Sequence, residues 1–215
     1  MKLRTQQQIS DFFELNSELV KIKGSIIKVC EILLNVYQQG GKVLICGNGG
    51  SCADADHIVG ELMKGFLLQR PLQEVIKSKF RTQFGEEGDY IAQKLQGSLP
   101  AISLGAHGAL ISAFSNDVDA ELIYAQQVMG YARLGDAVIG ISTSGNARNI
   151  ASALMTAKVL GVTSVGLTGR DGGEIAKIGE YNIIVPKEET YRIQEYHLII
   201  YHFICAYVES EIFEL

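Results

Sequence analysis

One phrase recurs along this chain: a short continuous apolar run, a turn of small residues, then a segment with helical spacing of its apolar positions. Residues 42–47 (KVLICG) lead through glycines into a helix from about Ser51, and 99–104 (LPAISL) precede a small-residue helix. Residues 136–142 (DAVIGIS) precede a helix over 146–160, 163–168 (TSVGLT) precede one over 173–178, and NIIVP leads into a long helix from Thr190 to about Phe213. Strands with one wet face alternate apolar and polar residues, whereas these runs are apolar throughout. Continuous runs separated by helices predict a parallel sheet covered on both faces and joined by right-handed crossovers. The expected class is a three-layer α/β sandwich.

Ahead of the sheet, apolar residues from Ile9 to Val36 recur at three- and four-residue steps, so 1–39 reads as an amphipathic helical leader ended by Gly40-Gly41. Residues 67–98 break the rhythm: they are polar and charged where a connection needs only a few residues, and read as an insertion within a single domain spanning 1–215. A solvated excursion with one or two helical turns near 90–95 accounts for them, as does a lid or subunit contact.

At 23.5 kDa and 47% hydrophobic, the chain buries a core without staples, which excludes intrinsic disorder. A net charge of −5 argues against direct nucleic-acid binding. Cys30, Cys46, Cys52 and Cys205 show no paired spacing and read as reduced thiols. The opening MKLRTQQQIS has no apolar targeting core, and 197–208 is too short and too polar to span a membrane. A soluble, cytoplasmic protein is the expectation.

Two strand-to-helix turns have the composition of a ligand cradle. CGNGGS (46–51) offers bare backbone N–H groups at a helix start, without a dinucleotide fingerprint or the lysine of a P-loop. STSGN (142–146) adds three hydroxyls to a helix start, which suits a phosphate without requiring Lys or Arg. Helix capping alone by Ser144 or Asn146 is the competing explanation. Both turns fall at the carboxyl ends of strands, where open parallel sheets bind ligands.

His57 and Glu61, four apart on a helix, share a face. On the last helix Gln194 and His202 are separated by a rise of about 12 Å, so either the two serve different subunits' sites or only one is a metal ligand. His197 competes as a packed or interfacial histidine.

GNGGS with H-x-x-x-E, Asn116-Asp117, STSGN, LTGRDGG (167–173) and RIQEYHLIIYH (192–202), in this order, resemble the sedoheptulose 7-phosphate isomerases, or phosphoheptose isomerases, of the sugar-isomerase (SIS) domain superfamily. The resemblance implies a flavodoxin-like sheet, a homotetramer with active sites between subunits, and interconversion of a ketoheptose phosphate with its aldose through an enediol. It implies zinc at His57, Glu61, Gln194 and His202, with Glu61 and His202 as the acid/base pair. Asn48, Gly49, Gly50, Ser51, Asn116, Asp117, Ser142, Thr143, Ser144 and Gln194 would contact the phosphosugar. The chain departs from the family pattern at Ala147, at Gly105-Ala106-His107 and at Lys64-Gly65-Phe66, changes that bear on substrate identity more than on reaction type. Related proteins that partner the replication initiator, or that sense sugar phosphates, are the alternatives; His202 and the intact STSGN favour an enzyme.

Overall fold

The computed structural model describes residues 1–214. Five parallel strands, β1 (Val43–Gly47), β2 (Ala101–Ser103), β3 (Ala137–Ser142), β4 (Thr163–Gly169) and β5 (Tyr181–Val185), lie in the order β2-β1-β3-β4-β5. This is the flavodoxin-like order, in which the chain runs to opposite sides of β1 and leaves a crevice between the carboxyl ends of β1 and β3.

Alternate strand residues feed two separate cores, which explains why the runs read as continuously apolar. Val43, Ile45, Ile139, Val165 and Ile183 face one core with α2 (Lys23–Gln38), α3 (Gly50–Met63) and α9 (Thr190–Phe213). Leu44, Cys46 and Val138 face the other with α6 (Ile123–Tyr131) and α7 (Arg148–Val159). Between β2 and α6 stands α5 (Gly108–Phe114), followed by a π-helical turn over Ser115–Asp119; α8 (Gly173–Ile178) links β4 and β5. The amino ends of β1 and β3 are held in register by Asp136, which accepts from the Lys42 amide at 2.9 Å and pairs with its ammonium.

The leader and the excursion differ from expectation. The leader is not one helix: α1 (Leu3–Leu15) stops at Asn16, whose side-chain amide donates to the Phe12 carbonyl, and a 3-10 segment follows before α2. Phe12 stacks on Phe203 at 4.2 Å between ring centroids, so the leader clamps the last helix. Residues Glu74–Lys94 form α4, far more helix than one or two turns, kinked at Gly85 where φ is 57° and ψ −134°. Arg81 bridges the kink to Asp89 at 2.7 Å. The apolar stretch of α9 is a core helix, buried at Ile200, Tyr201 and throughout 203–208. Among the described residues no helix is long and apolar enough to cross a membrane. Cys30, Cys46 and Cys205 are buried free thiols, and Cys52 is half-buried.

Candidate active site

The glycine turn follows β1 and the hydroxyl turn follows β3, so the sheet order sets them side by side at its crevice. Asn48 of the first and Asn149 of α7 exchange side-chain amide hydrogen bonds at 2.9 and 3.0 Å, joining the glycine turn to the helix that follows the hydroxyl turn. Asn149 has no sequence signal of its own; its partner is 101 residues away.

In the hydroxyl turn Ser142 is buried while Thr143 and Ser144 are partly open. The chain needs glycine at 145: its φ is 68°, and a Cβ there would strike the Gly172 carbonyl. The Asn146 amide N–H donates to Ser144 Oγ at 3.2 Å, a turn-type bond within the loop. Ser144 therefore supports the loop as well as facing the crevice. Helix α7 begins just beyond; Asn149 Oδ1 accepts from the Ile150 N–H at 3.0 Å, and the N–H groups of Arg148 and Asn149 have no partner within the helix.

Across the crevice, α3 begins at Gly50, and a Cβ on Gly50 would land on the side-chain amide of Gln194. The glycine thus lets the last helix's amide lie against the glycine turn. Gly50 has no left-handed φ, so alanine is sterically permitted in the backbone and displaces only the flexible end of Gln194. Gly50→Ala is expected to leave the melting temperature nearly unchanged and to lower kcat/KM about tenfold by mispositioning that amide. Unchanged kinetics would show that Gln194 has no part in the site.

One helical turn and more into α3, the acid/base candidates meet. His57 Nε2 stands 3.3 Å from Glu61 Oε1, and the rings of His57 and His202 meet edge to face at 4.9 Å. Phe66 stacks against His202 at 5.6 Å with an interplanar angle of 29°. Lys64 pairs with the other Glu61 oxygen at 3.2 Å. Tyr201 makes a bond of 2.9 Å with His57 Nδ1, and its hydroxyl lies 3.4 Å from Asp54. Burial, with Asp54 alongside, pushes the Tyr201 phenol up, and burial also raises the Asp54 carboxyl. Tyr201 donates to Asp54 and shares a hydrogen bond with His57 Nδ1, which turns His57 Nε2 toward Glu61. Burial first, then the neighbouring His57, lowers the His202 imidazole below its ordinary value, favouring a neutral ring at neutral pH.

A ring nitrogen facing a carboxylate oxygen calls for a proton or a cation between them. Tetrahedral zinc ligands at their usual bond lengths stand about 3.4 Å apart, which the His57–Glu61 edge fits. Among the described residues, however, no group of three or more His, Cys, Asp or Glu side chains is gathered to hold a metal. The other expected residues fall into three places. His197 is buried and donates to the Thr168 carbonyl at 3.1 Å, a packed histidine. Asn116 and Asp117 are exposed on the π-helical turn and bond to each other at 2.9 Å, away from either loop's hydrogen bonds. Gly105, in the turn after β2, lies so close to Cys52 that a Cβ there would strike the sulfur.

Two family models, each described as SIS domain, match residues 11–84 and 101–204. A phosphoheptose isomerase of Clostridium acetobutylicum is 36% identical over 217 residues, covering 99% of this chain and 97% of the relative. Among solved structures, the phosphoheptose isomerase of Neisseria gonorrhoeae superposes with a TM-score of 0.70 at 29% identity, covering 97% of this chain and 92% of that one. That of Francisella tularensis gives 0.71 at 26% identity, with 95% and 94% covered. Fold and crevice are thus those of the SIS-domain class. Within it, the chain belongs to the phosphoheptose isomerase family.

Proposed function

We propose that this chain is an aldose–ketose isomerase that interconverts sedoheptulose 7-phosphate and a D-glycero-D-manno-heptose 7-phosphate. The observation that carries the reading is the convergence of Glu61 and His202 around His57 on the same chain as two anion-accepting turns tied by Asn48 and Asn149. Neither half alone would define the reaction.

The phosphate is held by the hydroxyls of Ser142, Thr143 and Ser144 and the first amides of α7. The reacting carbons extend toward α3. Isomerisation moves the proton on C1 of the ketose to C2 through an enediol, while the C1 hydroxyl loses a proton and the C2 oxygen gains one. Glu61 takes the carbon-bound proton and returns it to the neighbouring carbon. His202, held neutral by burial, moves the proton between the oxygens. Phe66 and Tyr201, packed around the His202 ring, keep it in one orientation.

His57, Glu61, Gln194 and His202 are the residues that would hold a divalent ion, zinc by their mixed nitrogen and oxygen donors, and bound there it would polarise the substrate carbonyl. Protein purified without chelator is expected to carry about one zinc per chain, and His57→Ala to carry little. Stoichiometric metal surviving in His57→Ala would locate the ion elsewhere.

A homotetramer completes the reading. The cleft that opens on His202 is walled by Phe12, Phe66, Leu67, Ile199 and Phe203, an apolar mouth suited to a second copy, with α1 beside it. Light scattering at micromolar concentration is expected to give the tetramer mass; a monomer with full activity would refute the shared site. The function itself is tested by following sedoheptulose 7-phosphate by NMR. Appearance of the aldose supports the assignment, and no turnover of any ketose phosphate in a panel would favour the interaction-protein reading.

A further inference from the structure

Arg70 and Glu209 form an ion pair at 2.8 Å, both side chains 0% exposed, that the reaction as described does not use. Burying two opposite charges is costly unless every remaining donor and acceptor is satisfied. Here they are. Glu209 Oε1 accepts from the Phe66 amide at 2.8 Å and from Arg70 Nε at 2.8 Å. Its other oxygen accepts from the amides of Leu67 at 2.7 Å and Leu68 at 3.1 Å. Arg70 donates to the carbonyls of Leu62 at 2.7 Å and Glu61 at 3.2 Å, and its guanidinium covers the Phe213 ring at 4.7 Å.

Both ends of this network lead into the reaction site. The three amides that Glu209 gathers fix the segment whose Phe66 ring stacks on His202. The carbonyls that Arg70 gathers belong to the end of α3 that carries Glu61. His202 and Glu209 are themselves two turns apart on one face of α9. A single buried pair therefore ties together the end of α3, the loop bearing Phe66 and the last helix.

We propose that Arg70 and Glu209 are positioning residues that set the placement of His202 relative to Glu61, acting through Phe66. The proposal rests on the assignment of Glu61 and His202 to proton transfer. Neither residue touches substrate.

Three variants test it on the full-length, metal-replete enzyme: Glu209→Gln, the charge-free pair Arg70→Met/Glu209→Gln, and Phe66→Leu, which leaves the ion pair in place. Histidine ring signals, assigned with His202→Ala, report the His202 environment independently of turnover. In Glu209→Gln or the charge-free pair, with secondary structure retained, the His202 signals are expected to shift and kcat to fall about 10- to 100-fold, KM changing about threefold or less. Phe66→Leu is expected to reproduce that fall in kcat, and adding Glu209→Gln to it to cost about threefold or less further. Unmoved His202 signals with unchanged kcat per folded chain would overturn the proposal, as would full additivity with Phe66→Leu. Should the buried variants fail to fold, a Phe66→Leu enzyme with wild-type kcat would overturn it by itself. A wild type that makes no aldose would instead refute the isomerase reading, while the His202 signals would still decide whether the pair positions that ring.

Discussion

His202→Ala is expected to lower kcat on the heptose phosphate by about 10²-fold or more, the usual scale for a positioned acid or base, while the oligomer and its melting temperature stay close to wild type. The ring is only half-buried and makes no hydrogen bond that holds the fold, its contacts being the rings of His57, Phe66 and Tyr201. Losing it removes the group proposed to shuttle protons between the substrate oxygens. It leaves Glu61, the two turns and the core intact. Equal turnover of His202→Ala and wild type would remove His202 from the mechanism.

His197 governs a different quantity. Its imidazole is buried to 0% exposure, its Nε2 donates to the Thr168 carbonyl, and its Nδ1 has no partner. Burial lowers its pKa from 6.5 to about 4, so the folded protein holds it neutral where the unfolded chain protonates it. The unfolded state then binds the proton first, and stability falls with pH. The contribution is fully present above about pH 6.5, is lost progressively as pH falls to about 4, and amounts to about 3 kcal/mol across that window. His197→Gln keeps a donor for Thr168 but cannot titrate. Denaturant melts from pH 7 to pH 4 are expected to show the variant less stable at neutral pH and to swing about 3 kcal/mol in its favour toward acid. A stability difference independent of pH would show that His197 is not buried neutral.

The strands were legible because each is sandwiched between two cores, which removes polar residues from both faces. The pairing of His57 with Glu61 is legible because helical spacing fixes it locally. Helix α4 was not, since its buried residues, Gly88 and Ala92, are too few to write a periodic stripe. The stop at Asn16 depends on a side chain bonding its own helix, which many asparagines do without ending one. Nothing local in the sequence marks Arg70 or Glu209, and only the tertiary fold brings residues 139 apart into contact. Asn149 and Tyr201 were missed for the same reason: each acts on a partner fixed by the sheet order or by the packing of α3 on α9. Local spacing reveals which groups could share a helix face; what holds those groups in orientation is written in long-range contacts.

In the proposed mechanism Glu61 moves a proton between adjacent carbons of a bound ketose phosphate while His202 moves one between the oxygens. Sedoheptulose 7-phosphate incubated with the enzyme in deuterium oxide measures this most directly, because solvent exchange at the enediol can label the carbon next to the carbonyl even where little aldose accumulates. Wild type is expected to incorporate deuterium there and to form the aldose, and Glu61→Gln to do neither at a rate within about 10²-fold of wild type. Deuterium uptake by Glu61→Gln at the wild-type rate would contradict the account.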